Sequence, residues 1–208
     1  MVPSRFRNDP ALAKEALSMR SWTLLLLPLL LTACPKTAAV ATAGAVAAPG
    51  AEVLTVSTTP DGLTEQKVDL DRDGKPEITN YFRERTDAPR LLLRKDTDLN
   101  RDGRIDVRAE FDDGGQRVKE QLDGDFDGRA DWVDHYIVGK RTVSEVDTDF
   151  NGTFDLFKYY ESGVVRRKER DSDGDGRIDA WEYLNEAGAV VKTGKDVDGD
   201  GKMDVREQ

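Results

Sequence analysis

Nine-residue acidic segments of one design recur six times along this 208-residue chain. The first reads Asp69-Leu70-Asp71-Arg72-Asp73-Gly74-Lys75-Pro76-Glu77. The others start at Asp98, Asp123, Asp147, Asp171 and Asp196, and each keeps Asp or Asn at positions 3 and 5, Gly at position 6 and an acid at position 9. Carboxylates at alternate positions ahead of a glycine reversal can turn their oxygens toward one hard cation, and calcium fits this oxygen-only donor set best. Magnesium prefers stricter octahedral geometry and keeps its waters, while zinc would want Cys or His ligands.

The candidate ligands follow from the frame. The first segment offers Asp69, Asp71, Asp73 and Glu77, and the second Asp98, Asn100, Asp102 and Asp106. The third offers Asp123, Asp125, Asp127 and Asp131, the fourth Asp147, Asp149, Asn151 and Asp155. The fifth has Asp171, Asp173, Asp175 and Asp179, and the sixth Asp196, Asp198, Asp200 and Asp204. The second and fourth trade one carboxylate for an amide, so a charge count ranks them weakest. A single such segment could equally be an Asx-rich turn that holds no ion. Six repetitions with the glycine in register make that reading, and the reading of a merely solvated acidic surface, hard to sustain.

These segments resemble the calcium loops of the EF-hand family, and also the calcium-binding repeats of thrombospondin type 3 and of bacterial surface modules. The EF-hand resemblance implies a bidentate Glu at position 12, which Glu182 and Glu207 supply in the fifth and sixth segments. It also implies flanking helices, and here the spacing disagrees. The central glycines, Gly74, Gly103, Gly128, Gly152, Gly176 and Gly201, are 29, 25, 24, 24 and 25 residues apart, the mark of a repeat architecture. Twelve residues taken from each start leave 13 between the second and third loops and 12, interrupted by Gly139, between the third and fourth. Two helices need roughly 20. Two strands of about five residues with a tight turn fit that gap.

The expected fold is therefore mainly β, a meander of antiparallel hairpins joined by acidic loops. An α array of EF-hand or dockerin-like type is the alternative. Residues 53–58 and 63–68 read as strands around the turn Thr59-Pro60-Asp61-Gly62, and later turns carry Asp87-Ala88-Pro89, Gly114-Gly115, Gly139, Glu161-Ser162-Gly163 and Gly188. Ile105, Ala130, Phe154, Ile178 and Met203, two places after the last five glycines, read as apolar anchors that begin the strands, with Pro76 breaking the pattern in the first loop and Phe154, Leu156 and Tyr160 on one face. If the hairpins form, position 12 falls inside a strand, where Glu182 and Glu207 could point away from the ion.

Composition narrows the function classes. With 38% hydrophobic, 35% charged and 7% aromatic residues, the chain has little for a conventional core. A net charge of −10 argues against nucleic acid, which needs clustered Lys and Arg. Catalysis has little support. His135 is the one histidine, and Asp96-Thr97-Asp98 has no phosphate-binding glycine loop or partner lysine beside it. Trp132, Tyr136, Tyr159, Tyr160, Trp181 and Tyr183 read as sheet packing before they read as a ligand platform.

The N-terminus carries an address. Residues 24–31 form a leucine-rich run of signal-peptide length, too short to span a bilayer comfortably. It ends in Leu31-Thr32-Ala33-Cys34, which resembles the lipobox of bacterial lipoproteins. That resemblance implies cleavage after Ala33, lipidation of Cys34, and, since Pro35 and not Asp follows, an outer-membrane destination with the periplasmic or surface side open. Residues 1–33 are the expected signal peptide, with Met19 a better placed start than Met1. Residues 34–51 are an Ala/Gly/Thr/Pro tether, and residues 52–208 the repeat domain. The expectation is a calcium-binding, lipid-anchored envelope protein, a structural or interaction module and not an enzyme. The alternatives are a calcium-responsive sensor or regulator, or a carbohydrate- or peptide-binding surface module.

Overall fold

At position 10, just beyond each acidic segment, stands an apolar residue in all six repeats: Ile78, Val107, Trp132, Leu156, Ala180 and Val205. Each opens a strand in the computed structural model, which describes residues 50–207. The expected signal peptide, Cys34 and the tether as far as residue 49 lie outside the described residues.

The described chain is all β. Its thirteen strands are β1 (Glu52–Thr58), β2 (Thr64–Asp69), β3 (Ile78–Arg83), β4 (Leu91–Thr97), β5 (Val107–Phe111), β6 (Arg117–Leu122) and β7 (Trp132–Ile137), followed by β8 (Lys140–Val146), β9 (Leu156–Glu161), β10 (Val164–Arg170), β11 (Ala180–Leu184), β12 (Val190–Lys195) and β13 (Val205–Glu207). They pair antiparallel in sequence order to form one open sheet, so the meander stands and the helical alternative is excluded. Strands contact only their sequence neighbours among the described residues, so no second layer covers either face.

Up-and-down order has a direct consequence. Connections alternate between the two ends of the sheet, so all six acidic loops line one end and the six turns the other. Val138-Gly139 and Ser162-Gly163 are two-residue turns with φ of 52° and 68°, and 51° and 83°, the doubly left-handed turn whose twist suits hairpins. Every hairpin closed by a turn also contains a register shift, as at His135/Tyr136, while pairs joined by an acidic loop contain none. A bulge leaves one residue unpaired and increases local twist, and here it recurs once per repeat.

Directly opposed residues share a face. One such row runs beneath the loops from Val68 through Ile78, Thr97, Val107, Leu122, Trp132 and Val146 to Leu156. This apolar band closes the base of the first four loops, each between a residue before the loop and its partner at position 10. Beyond it the closing pairs become Arg170–Ala180 and Lys195–Val205. Elsewhere the faces rely on polar pairing. Asp96, 2% exposed, accepts from Arg108 Nε at 2.8 Å and Nη2 at 3.1 Å. Asp134 on β7 accepts from Trp132 Nε1 at 2.8 Å and from buried Ser144.

One expectation needs correction. Ile105, Ala130, Phe154, Ile178 and Met203 do not begin strands; they sit at position 8, inside the loops, and Phe154 precedes β9. The ladder starts one residue later. The position-9 N–H donates to the carbonyl just before the loop, as in Asp106 to Thr97 at 3.0 Å and Asp131 to Leu122 at 2.8 Å.

Candidate metal sites

All six loops are folded by their own carboxylates. The position-1 Asp is the last residue of β2 in the first loop and immediately follows the incoming strand in the other five, and one of its oxygens accepts the N–H of the position-6 glycine, which a sharp reversal brings back to it. The six distances, from Gly74–Asp69 to Gly201–Asp196, are 2.8, 2.8, 2.7, 2.6, 2.8 and 2.6 Å. The other oxygen takes N–H groups from the middle of the loop, such as Arg101 on Asp98 at 2.6 Å and Phe126 on Asp123 at 2.8 Å. Position 5 accepts the N–H of position 7, and position 9 reaches back to the N–H of position 2. An oxygen that accepts one N–H still has a lone pair for a cation.

Position 4 carries a cost that four loops bear and two avoid. Its φ is left-handed throughout: 69° at Arg72, 67° at Arg101, 66° at Phe126, 61° at Phe150, 76° at Gly174 and 77° at Gly199. A side chain there is disfavoured by about 1–2 kcal/mol, which glycine escapes. The fifth and sixth loops are therefore pre-set backbones, a feature written in the sequence as a second glycine.

Carboxylates converge in five loops. Oxygens of Asp69, Asp71, Asp73 and Glu77 lie within 4.8 Å of one another, as do those of Asp123, Asp125 and Asp127; of Asp147, Asp149 and Asp155; of Asp171, Asp173 and Asp179; and of Asp196, Asp198 and Asp204. Each of these groups is geometrically able to hold a metal ion. In the second loop Asn100 replaces the position-3 carboxylate and donates to Asp102 at 3.3 Å, beside Asp98 and Asp106. Asn151 bonds Asp149 at 3.1 Å in the fourth loop. Asp131, Asp175 and Asp200 hold the backbone of their loops without joining the converged oxygens. Position 12 falls inside a strand in every repeat. Glu182 lies on β11, where its carboxylate accepts from Lys168 Nζ at 3.0 Å, and Glu207 is exposed on β13; neither is among the oxygens that converge.

The electrostatics follow from that packing. Burial pushes the Asp69, Asp147 and Asp196 carboxyls up, but three or more donors in each loop, mostly backbone N–H groups, outweigh it and leave all three below the usual carboxylate range. Asp125 goes the other way: burial raises it, and the charges of Asp127, Asp131 and Asp123 raise it further. The smaller, like-charge part of that rise is what a bound cation relieves.

Adjacent loops touch. The N–H of each later position-1 Asp donates to the position-9 carbonyl of the loop before, at 2.7–2.9 Å from Asp98–Glu77 to Asp196–Asp179. Arg101 reaches Asp71 of the first loop at 2.7 Å. The position-7 arginines Arg104, Arg129 and Arg177 lie against Gly128, Gly152 and Gly201 of the following loops. A Cβ at Gly152 would meet the Arg129 guanidinium, the mobile end of a long side chain that can move aside.

The aromatic residues divide between the faces, and the chain's own cations cover many of them. Lys158 sits 4.3 Å from Trp132, Arg167 4.0 Å from Tyr159, Lys192 5.1 Å from Tyr183 and Arg141 5.5 Å from Tyr160. His135 bonds Glu145 at 3.1 Å across β7 and β8. No family model matches the chain, and no curated protein is similar to it.

Proposed function

We propose that the six loops bind calcium on a lipid-anchored protein of the bacterial cell envelope, and that the sheet is a structural or interaction module which the ions rigidify. The observation that carries this reading is the convergence of three or four carboxylate oxygens within 4.8 Å in five loops of a single sheet end. Loops two strands apart stand about 9.6 Å from each other at ordinary strand spacing. That is close to the Debye length of ~10 Å at 0.1 M salt, so neighbouring acidic loops repel. The six nine-residue loops hold 22 acids and 7 bases, so they carry a formal −15 while the rest of the chain carries +5. Ions in the loops reduce this repulsion along the whole edge.

The lipid anchor rests on the lipobox resemblance at Cys34 and on the tether behind it. A non-catalytic role rests on the loops' repetition, since six copies of one site suit a scaffold better than one reaction centre. The cations stacked over Trp132, Tyr159 and Tyr183 leave those rings poorly placed to stack on a sugar, which favours the scaffold over the glycan-binding alternative. Scaffold and sensor differ in affinity: dissociation constants near 10⁻⁴–10⁻³ M suit permanently filled modules, and roughly 10⁻⁷–10⁻⁵ M suit signalling.

Thermal melting in chelator and in millimolar calcium tests the proposal. A site at a hundredfold excess over its dissociation constant adds about 2.7 kcal/mol. For a domain of this size that is a rise of about 5–10 °C per filled site. Equal melting temperatures in the two conditions would sink it.

A further inference from the structure

We propose that a hydroxyl at position 2 weakens a loop's hold on its ion, because it shares the position-9 carboxylate that the ion would otherwise meet alone; this rests on the calcium reading above. In all six loops the position-2 N–H occupies one oxygen of that carboxylate. The side chain at position 2 decides the fate of the other. In the fourth loop Thr148 Oγ1 donates to Asp155 at 2.7–2.8 Å, and in the fifth Ser172 Oγ donates to Asp179 Oδ1 at 2.8 Å. In the second loop position 2 is Leu99, which has nothing to donate. Asp106 there is 2% exposed, and its Oδ1 has no hydrogen-bond partner among the described residues.

A buried carboxylate oxygen with neither water nor a donor is costly to maintain, and a cation supplies what is missing. Asp106 Oδ2 receives the N–H groups of Leu99 at 2.6 Å and Asn100 at 3.1 Å, which holds the carboxylate beside position 3. Its counterparts Asp155, Asp179 and Asp204 each come within 4.8 Å of positions 1 and 3 of their own loops. The geometry therefore makes Asp106 Oδ1 a ligand that the second loop offers without competition. In the fourth and fifth loops a hydroxyl already shares the corresponding oxygen, so an ion competes with it for the carboxylate's charge. Carboxylate count alone misses this difference, because it ranks the second and fourth loops together.

Calcium titration of the full-length chain, followed by the amide signals of Gly103 and Gly152, reads the two loops separately, because each N–H donates to its position-1 Asp. Leu99→Thr is expected to raise the half-saturation of the Gly103 signal roughly tenfold, the scale of one hydrogen bond to a charged group. Thr148→Val is expected to lower that of Gly152 by a similar factor, while Thr148→Ser keeps the hydroxyl and leaves it unchanged. If the amides respond to calcium but all three variants match the parent chain, the position-2 proposal is overturned and calcium binding survives. If no glycine amide moves by about 10 mM calcium, above the weakest range for such sites, both readings fall.

Discussion

Replacing Asp147 and Asp149 separately by alanine distinguishes the architectural carboxylate of a loop from one that serves the ion. Asp147 is 2% exposed and accepts Gly152 N–H at 2.6 Å and Asn151 N–H at 3.2 Å. Asp147→Ala leaves two backbone donors without their acceptor. Each such loss costs about 1–3 kcal/mol when the donor stays dry, and removing a buried charge returns part of it. A net loss of about 2–4 kcal/mol is expected even in chelator. Asp149 is exposed and accepts Asn151 Nδ2 at 3.1 Å. Asp149→Ala should therefore stay within about 0.5 kcal/mol of the parent in chelator, as surface substitutions do. It should then lose about 2.7 kcal/mol of the calcium increment, the share of one site at a hundredfold excess. Urea unfolding of both variants, with chelator and with calcium, measures all four quantities. If Asp147→Ala were as stable as the parent in chelator, the loops would not be held by position 1, and the structural reasoning would fail.

Two further outcomes follow from the geometry and the address. Gly174→Ala places a Cβ where nothing lies within 4 Å, at φ of 76°, so its cost is backbone conformation alone. About 1–2 kcal/mol of strain, reduced by ~0.4–1 kcal/mol through the stiffer unfolded chain, gives a net loss near 1 kcal/mol, and an unchanged urea midpoint would contradict it. Cys34→Ser should leave an unprocessed precursor that cannot be lipidated at that position, seen as a larger band by electrophoresis; normal maturation and detergent partitioning of that variant would remove the anchor from the account.

Much of the fold was legible because its signals are local. Glycines spaced 24–29 residues apart and turn residues midway between them are enough to separate hairpins from helices. The strand starts were misplaced because position 8 is apolar in five repeats and imitates the first residue of a strand. Position 10, apolar in all six, was the better guide, since the Asp or Glu at position 9 must still turn back to the loop. The single layer was harder to foresee. Rows such as Lys67, Thr79, Asp96, Arg108 and Gln121 alternate with the apolar band, and only the register shows that they form one continuous polar row on the opposite face. The left-handed backbone at position 4 was visible in Gly174 and Gly199, but Arg72, Arg101, Phe126 and Phe150 disguise it in the other loops. The difference made by Leu99 and Thr148 depends on burial and on hydroxyl direction, which no spacing argument reaches.

Equilibrium dialysis at millimolar free calcium counts the ions bound per chain and so decides whether the loops are ion sites. Six frames of one design, with converged carboxylates in five and an Asn100-substituted set in the second loop, predict a count that approaches six and falls by one in Asp149→Ala. A count near zero would show that these carboxylates fold the loops and do nothing more, and a full count that Asp149→Ala leaves unchanged would remove Asp149 from the ion's ligands.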